Sequence, residues 1–302
     1  MSGPPETHIL KGVSRSFFLS LRLLPAAMRG AASLGYVLAR ASDTLADTTT
    51  APVPQRLAAL AAFAQAVATH APPPCWPATL LDTIPEPRER ELLERAPALL
   101  TALRALPAAE SALVREVVAI IISGQQLDLE RFATATAQQP VALADAAALD
   151  DYTWRVAGCV GEFWTRLGFV TLGPRFSRGD PAILLEQGRA YGQGLQLVNI
   201  LRDVAADLAS GRCYLPVADP ADRGALLASH ACWLERAALK IGHGRSYALT
   251  LPSRRMRAAT RLPALLAGET LELLRGATWQ SLQARVKVPR RRVYALLLRA
   301  LV

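Results

Sequence analysis

Apolar residues along the chain recur at steps of three and four rather than two, the period of helices that bury one face. Residues 107–136 show it well, with Val114, Val117, Val118, Ile121 and Ile122 on one stripe. The pattern predicts helices over 14–24, 26–47, 54–70 and 86–103, and a short helix followed by a longer one over 141–170. Further helices are expected over 182–209, 222–250, 253–275 and 278–285, with a last one after Pro289. Between them, TTTAPVP (48–54), APPPCWP (71–77), LGPRFSRGDP (172–181) and ASGRCYLPVADPAD (209–222) hold the Pro, Gly and Asp that interrupt helices. Pro181 falls where a helix tolerates proline, in its first turn. Val, Ile, Thr and the aromatics do not alternate in runs, so the strand signal is weak. The expectation is an all-α chain, 1–302 forming one domain.

Within 182–209 the polar positions are few and ordered. Gln196, Asn199, Asp203 and Asp207 follow at steps of three, four and four, which puts them on one face of a helix. Leu195, Leu197, Val198, Ile200 and Leu201 cover most of the remainder. A helix apolar nearly all round is buried, so its carboxylates would line a buried or cleft-facing surface, costly unless cations neutralise them. Mg²⁺ suits that role, because it takes oxygen ligands and keeps waters and substrate phosphates as the others. Arg202, beside Asp203, adds a positive charge for a phosphate.

A second pair stands about 160 residues upstream: Asp43 and Asp47, again at i and i+4, again with an arginine, Arg40, just before them. Two such helices could face each other across a bundle and hold a Mg²⁺–diphosphate cluster. Asp43, Asp47, Asp203 and Asp207 are the expected metal ligands, with Asn199 as a further oxygen donor. Arg40 and Arg202 offer planar donation to diphosphate oxygens.

Four blocks, in this order and spacing, resemble the squalene/phytoene synthases of isoprenoid head-to-head condensation: Ser14-Arg15-Ser16-Phe17, YVLARASDTLAD (36–47), YTWRVAGCVG (152–161) and QLVNILRDVAAD (196–207) with its GRCYLP tail. VSRSFF and DTLAD look closer to squalene synthases, bacterial ones included, whereas GRCYLP looks closer to the carotenoid branch. The resemblance implies an isoprenoid-synthase-type helical bundle, one domain around a central cavity. It implies that two farnesyl diphosphates condense to presqualene diphosphate, which NADPH then reduces to squalene. A dehydrosqualene, hydroxysqualene or phytoene synthase lacking the reductive step stands as the alternative. A non-catalytic helical protein that binds prenyl lipids stands as the rival of another class.

By the same resemblance, Ser14 and Arg15 reach a diphosphate, and Phe17, Tyr36 and Gln196 line the tunnel of the carbocation, where a ring face contributes on the order of 1–2 kcal/mol when desolvated. Tyr152 takes the position of the catalytic tyrosine. An ordinary phenol titrates near 10 and is a poor free base, so the departing diphosphate accepts the proton and Tyr152 serves as relay or dipole. Arg285 would reach a diphosphate, and Lys287 and Arg290 the phosphate of NADPH. Thr153-Trp154-Arg155 and Pro289 depart from the family's usual forms, and there is no G-x-G-x-x-G dinucleotide fingerprint.

Charge adds one element to this picture. The net charge is +9, carried almost wholly by arginine, with the excess towards the C-terminus. Such a surface suits anionic partners. No nucleic-acid motif accompanies it, and aromatic residues do not interleave the basic tract, so phosphorylated substrate and membrane surface are the expected partners and nucleic acid is not. The four cysteines are scattered without C-x-x-C spacing, which fits neither zinc nor a disulfide framework and agrees with a cytoplasmic setting. No run reaches the roughly 18–20 apolar residues of a transmembrane segment, and MSGPPETHILKG lacks an apolar leader. The apolar end, VYALLLRALV, is expected either in the core or in peripheral contact with a membrane surface.

Overall fold

A computed structural model describes residues 21–47, 50–69 and 71–301. Ser14, Arg15 and Phe17 lie outside the described residues, as does most of the helix expected over 14–24. Two compact units emerge: one takes the residues up to Leu129 together with Arg166–Pro174, the other Glu130–Thr165 and everything from Arg175 on.

In the first unit, α1 (Ala26–Asp47) buries its small residues Ala31, Ala32, Ser33 and Gly35. It packs on α2 (Val53–Ala68), and, beyond a four-residue α3 (Ala78–Leu81), on α4 (Pro87–Glu94) and α5 (Ala96–Ala105). The end of α1 is held by the buried Arg56, whose guanidinium donates to the Ala46 carbonyl at 2.8 Å. The helix expected over 86–103 is in fact two, meeting at Arg95. Pro97 explains the break, since it has no N–H for the carbonyl four residues back. That carbonyl, on Leu93, accepts instead from the Trp76 indole at 2.9 Å. α6 (Ala108–Arg131) follows and buries the predicted stripe from Val114 to Ile122.

The second unit contains β1 (Val141–Ala142), α7 (Ala146–Thr153), a π-helical turn (Trp154–Gly158) and the first half of α8 (Cys159–Leu172), which a 3₁₀ turn (Gly173–Arg175) ends. Its axis is α9 (Pro181–Ala209), started by Pro181 and by the Asp180 side chain, which accepts from two backbone N–H groups. After it come β2 (Arg212–Cys213), α10 (Arg223–Thr250), α11 (Arg254–Arg275), α12 (Trp279–Gln283) and α13 (Arg290–Leu301).

α9 packs on α10, α11, α12 and the π turn. Leu197, Leu201 and Val204 sink into a core with Trp233, Leu234, Ala237 and Ile241, each buried side chain contributing roughly 1.5–3 kcal/mol. Against α8 and the π turn the packing is backbone on backbone. A Cβ on Gly161 would lie 1.9 Å from the Gly188 carbonyl oxygen, and one on Gly192 would lie 2.2 Å from that of Ala157. No side chain fits at either crossing. The π turn was not expected from the sequence. It carries Ala157 and Gly158 into this contact, and wide turns of this kind are frequent at functional sites.

β1 and β2 form a two-residue parallel bridge, Val141 opposite Arg212 and Ala142 opposite Cys213. Gly211 starts β2 with φ +88°, and a Cβ there would strike the Thr136 backbone, so that turn requires glycine.

Candidate active site

Among the described residues, the predicted site residues of the first unit lie along α1. Tyr36 precedes Asp43 by two helical turns on the same face, and Arg40 by one. Arg40 splits its guanidinium, donating to Asp43 at 3.2 Å and to Glu89 of α4 at 2.8 Å. The other Asp43 oxygen accepts from the side-chain amide of Gln125 on α6. Burial, reinforced by the charge of Asp47, pushes the Asp43 carboxyl up to about 6 against the pull of Arg40 and Gln125. Asp47 itself is exposed at the end of the helix.

The second unit repeats the arrangement on α9 with the balance reversed. Gln196 precedes Asp203 by two turns, and Asn199, exposed, donates to the Gln196 side-chain oxygen at 3.4 Å. Asp203 is held by two arginines: Arg202 with two hydrogen bonds, the longer at 3.1 Å, and Arg285 at 3.0 Å. Burial alone would raise its carboxyl, but these hydrogen bonds and charges outweigh it and hold Asp203 below the usual carboxylate range. Asp207 is half-buried one turn further on. Burial together with the Asp207 charge pushes the Cys213 thiol up to about 11.

Arg285 reaches Asp203 from an unusual backbone. It is the one described non-glycine residue with positive φ, at 62°, a conformation that costs an L-residue roughly 1–2 kcal/mol. The buried Leu282 anchors it, accepting from the Arg285 N–H at 3.1 Å. A strained residue whose side chain meets an acidic cluster points to function. Lys287 and Arg290, just beyond, are exposed.

Tyr152, at the end of α7, is buried and stacks on Tyr214, ring centroids 4.9 Å apart and planes 23° from parallel. Phe132 meets the other ring edge-on at 5.2 Å. The bridge between β1 and β2 sets this trio, because Tyr214 directly follows β2. Below it, the Gln193 side chain donates to the Asp150 carbonyl at 2.9 Å and accepts from Lys240 at 2.8 Å, tying the Tyr152 helix to α9 and α10.

The donors present fit Mg²⁺. All are hard oxygens, and the Gln125 amide oxygen is buried beside Asp43 without a hydrogen-bond partner. Among the described residues no three His, Cys, Asp or Glu side chains converge as a closed metal site, so the remaining ligands would be waters and phosphate oxygens.

Sequence reasoning missed Gln125, Glu89 and Tyr214. Gln125 had a signal, as a polar residue three positions after the buried Ile122 on the helix that carries the aliphatic stripe. Tyr214 sat inside the matched GRCYLP tail, and nothing local marked it as the partner of Tyr152.

Comparison with known proteins shows the family and the fold. A model of the squalene/phytoene synthase family matches residues 10–292. The presqualene diphosphate synthase of Zymomonas mobilis is 31% identical over 216 residues, covering 71% of this chain and 60% of that protein, so the match spans somewhat under two thirds of the relative's length. Among solved structures, the complex of TcSQS with the ligand E5700 matches at a TM-score of 0.79 and 25% identity, covering 98% of this chain and 86% of the other. Squalene synthase HpnC from Alicyclobacillus acidocaldarius shares the fold at a TM-score of 0.59 and 21% identity, over 89% and 91% of the two chains. The fold is all-α and of the isoprenoid-synthase type, as expected.

Proposed function

The chain belongs to the squalene/phytoene synthase family, and from that premise we propose that it condenses two farnesyl diphosphates head to head to presqualene diphosphate. The observation that carries the reading is the repeated cluster: an arginine and an Asp-x-x-x-Asp pair on α1, and the same on α9 with Arg285 added. Both pairs are required for turnover. The family match runs through both units, which supports 1–302 as one synthase domain.

Asp43 and Asp47 of the first unit, and Asp203 and Asp207 of the second with Asn199 as a further oxygen donor, would hold Mg²⁺, which would supply Lewis-acid stabilisation of the leaving diphosphate. Arg40, Arg202 and Arg285 turn from their carboxylate partners to diphosphate oxygens, where planar donors match the anion. Ionisation leaves an allylic cation. The stacked rings of Tyr152 and Tyr214 offer it an electron-rich face and keep water away. Tyr36 and Gln196, each two turns before a metal-binding aspartate, are suited to line the hydrocarbon path. As the cyclopropane closes, one proton leaves carbon for the departing diphosphate, with the Tyr152 hydroxyl as relay.

Reduction to squalene by NADPH is the second half of the reading. Lys287 and Arg290 are exposed cations that suit any phosphate. Peripheral contact with a membrane surface completes it; no described helix is long and apolar enough to cross a membrane.

The test is incubation of the chain with farnesyl diphosphate and Mg²⁺, with and without NADPH, products identified by mass spectrometry. Presqualene diphosphate without NADPH is expected, and squalene with it. A product unchanged by NADPH removes the reductive half, and no condensation product removes the proposal.

A further inference from the structure

α13 is apolar on two sides, and its partner helix accounts for only one. Leu296 and Ala300 are buried against Leu262 and Leu265 of α11. The opposite side carries Tyr294 and Leu298, 66% and 68% exposed and one helical turn apart. A core helix of this length would show solvent a polar stripe there. Arginines flank the pair instead. Arg291 lies one turn before Tyr294, and Arg299 directly follows Leu298, both exposed. From Gly276 to the end the sequence has six basic residues, Arg285, Lys287, Arg290, Arg291, Arg292 and Arg299, and no acidic one. Among the described residues, Arg285 pairs with Asp203 away from this helix, and on the helix Arg292 pairs with Glu269 of α11 at 2.8 Å.

Apolar side chains between cations, on an exposed helix, match the boundary of an anionic bilayer. The leucine and tyrosine enter the interface while the guanidiniums meet lipid phosphates. We propose that the outer face of α13, centred on Tyr294 and Leu298, docks the protein on anionic lipid. The inference deepens the functional reading by locating its membrane contact. It rests on that reading only for its purpose, delivery of a hydrocarbon product to the bilayer, because the face itself is independent of catalysis. A second copy of the chain is the competing occupant. The uncompensated positive charge of the face argues against it, since self-pairing would set like charges together.

The test is co-sedimentation of the full chain with vesicles of phosphatidylcholine containing about one third phosphatidylglycerol, and with pure phosphatidylcholine. Binding is expected only to the anionic vesicles, and raised salt should weaken it. Arg291→Gln with Arg299→Gln should lower the partition coefficient by at least tenfold, at about fivefold per arginine. Tyr294→Ser with Leu298→Ser should lower it about tenfold. Neither variant touches the acidic clusters, so condensation of farnesyl diphosphate in detergent solution should be unchanged. Binding without condensing activity would sink the functional reading and leave the docking face standing. Equal binding by the variants, equal binding to neutral vesicles, or none at low salt would overturn the docking face. So would a dimer in light scattering that Tyr294→Ser/Leu298→Ser dissolves, since the face would then belong to a second copy.

Discussion

The two acidic helices look alike in sequence and differ in charge balance. On α1, one arginine is shared between Asp43 and Glu89, and burial leaves the Asp43 carboxyl raised to about 6. On α9, two arginines converge on Asp203 and hold it below the usual range. At Asp43 burial outweighs the one shared guanidinium, whereas at Asp203 two hydrogen-bonded guanidiniums outweigh burial. In the absence of a cation, the first cluster is short of positive charge and the second is compensated by the protein.

The largest expected effect tests whether this difference reaches the chemistry. Asp43→Asn and Asp203→Asn should each lower turnover of farnesyl diphosphate by about 10²–10³-fold, as loss of a charge-stabilising group at a leaving group does. If either variant kept full activity, its cluster would not serve the reaction and the comparison would lose its functional meaning.

The bedding of the two helices differs as well. Gly192 of α9 lies against the Ala157 backbone, whereas Gly30 of α1 has open space around it. Gly192→Ala should cost about 1–3 kcal/mol in denaturant unfolding, while Gly30→Ala should gain about 0.5–1 kcal/mol from helix propensity. The same sign for both would mean that the α9 crossing relaxes easily.

Arg285 sharpens the contrast, since only the second cluster has such a strap. Arg285→Ala and Arg285→Gly should both raise KM for farnesyl diphosphate about tenfold. The glycine variant should be about 1 kcal/mol the more stable of the two, because glycine takes φ 62° without strain. Equal stabilities would deny the strain.

The smallest effect gives the plainest sign. In metal-free buffer the folded chain keeps the Asp43 proton to about pH 6, while an unfolded one releases it near 3.8. That carboxyl therefore lowers stability progressively as pH rises from about 4 to 6, and the loss persists above. Asp43→Asn should raise the Tm at pH 8 by about one or two degrees, the shift being limited by partial exposure, with no gain at pH 4. Asp203, lowered in the fold, contributes stability that is present above about pH 4 and lost as pH falls through its folded value. Asp203→Asn should lower the Tm at pH 8 and change nothing at the acid limit. Shifts of the same sign in thermal melts at pH 8 would break the comparison.

Much of this could be read from residue spacing. The helices over 107–136, 182–209 and 222–250 stand within a few residues of their expected bounds, and both aspartate pairs lie on helices at i and i+4. The break at Arg95 was legible in principle, since Pro97 cannot continue a helix. The π turn was not, as it answers to the glycines of α9 some thirty residues away.

Sequence by itself determined the all-helical class, the family and the pairing of carboxylates with a neighbouring arginine, because helical period and i, i+4 spacing are local properties. Only the tertiary structure decided that Tyr214 stacks on Tyr152, that Gln125 meets Asp43, and that Arg285 closes on Asp203. Those partners lie 62, 82 and 82 residues apart along the chain. A carboxylate's protonation energy and a ring's packing depend on which groups the fold brings within a few ångströms, and chain spacing does not encode that distance.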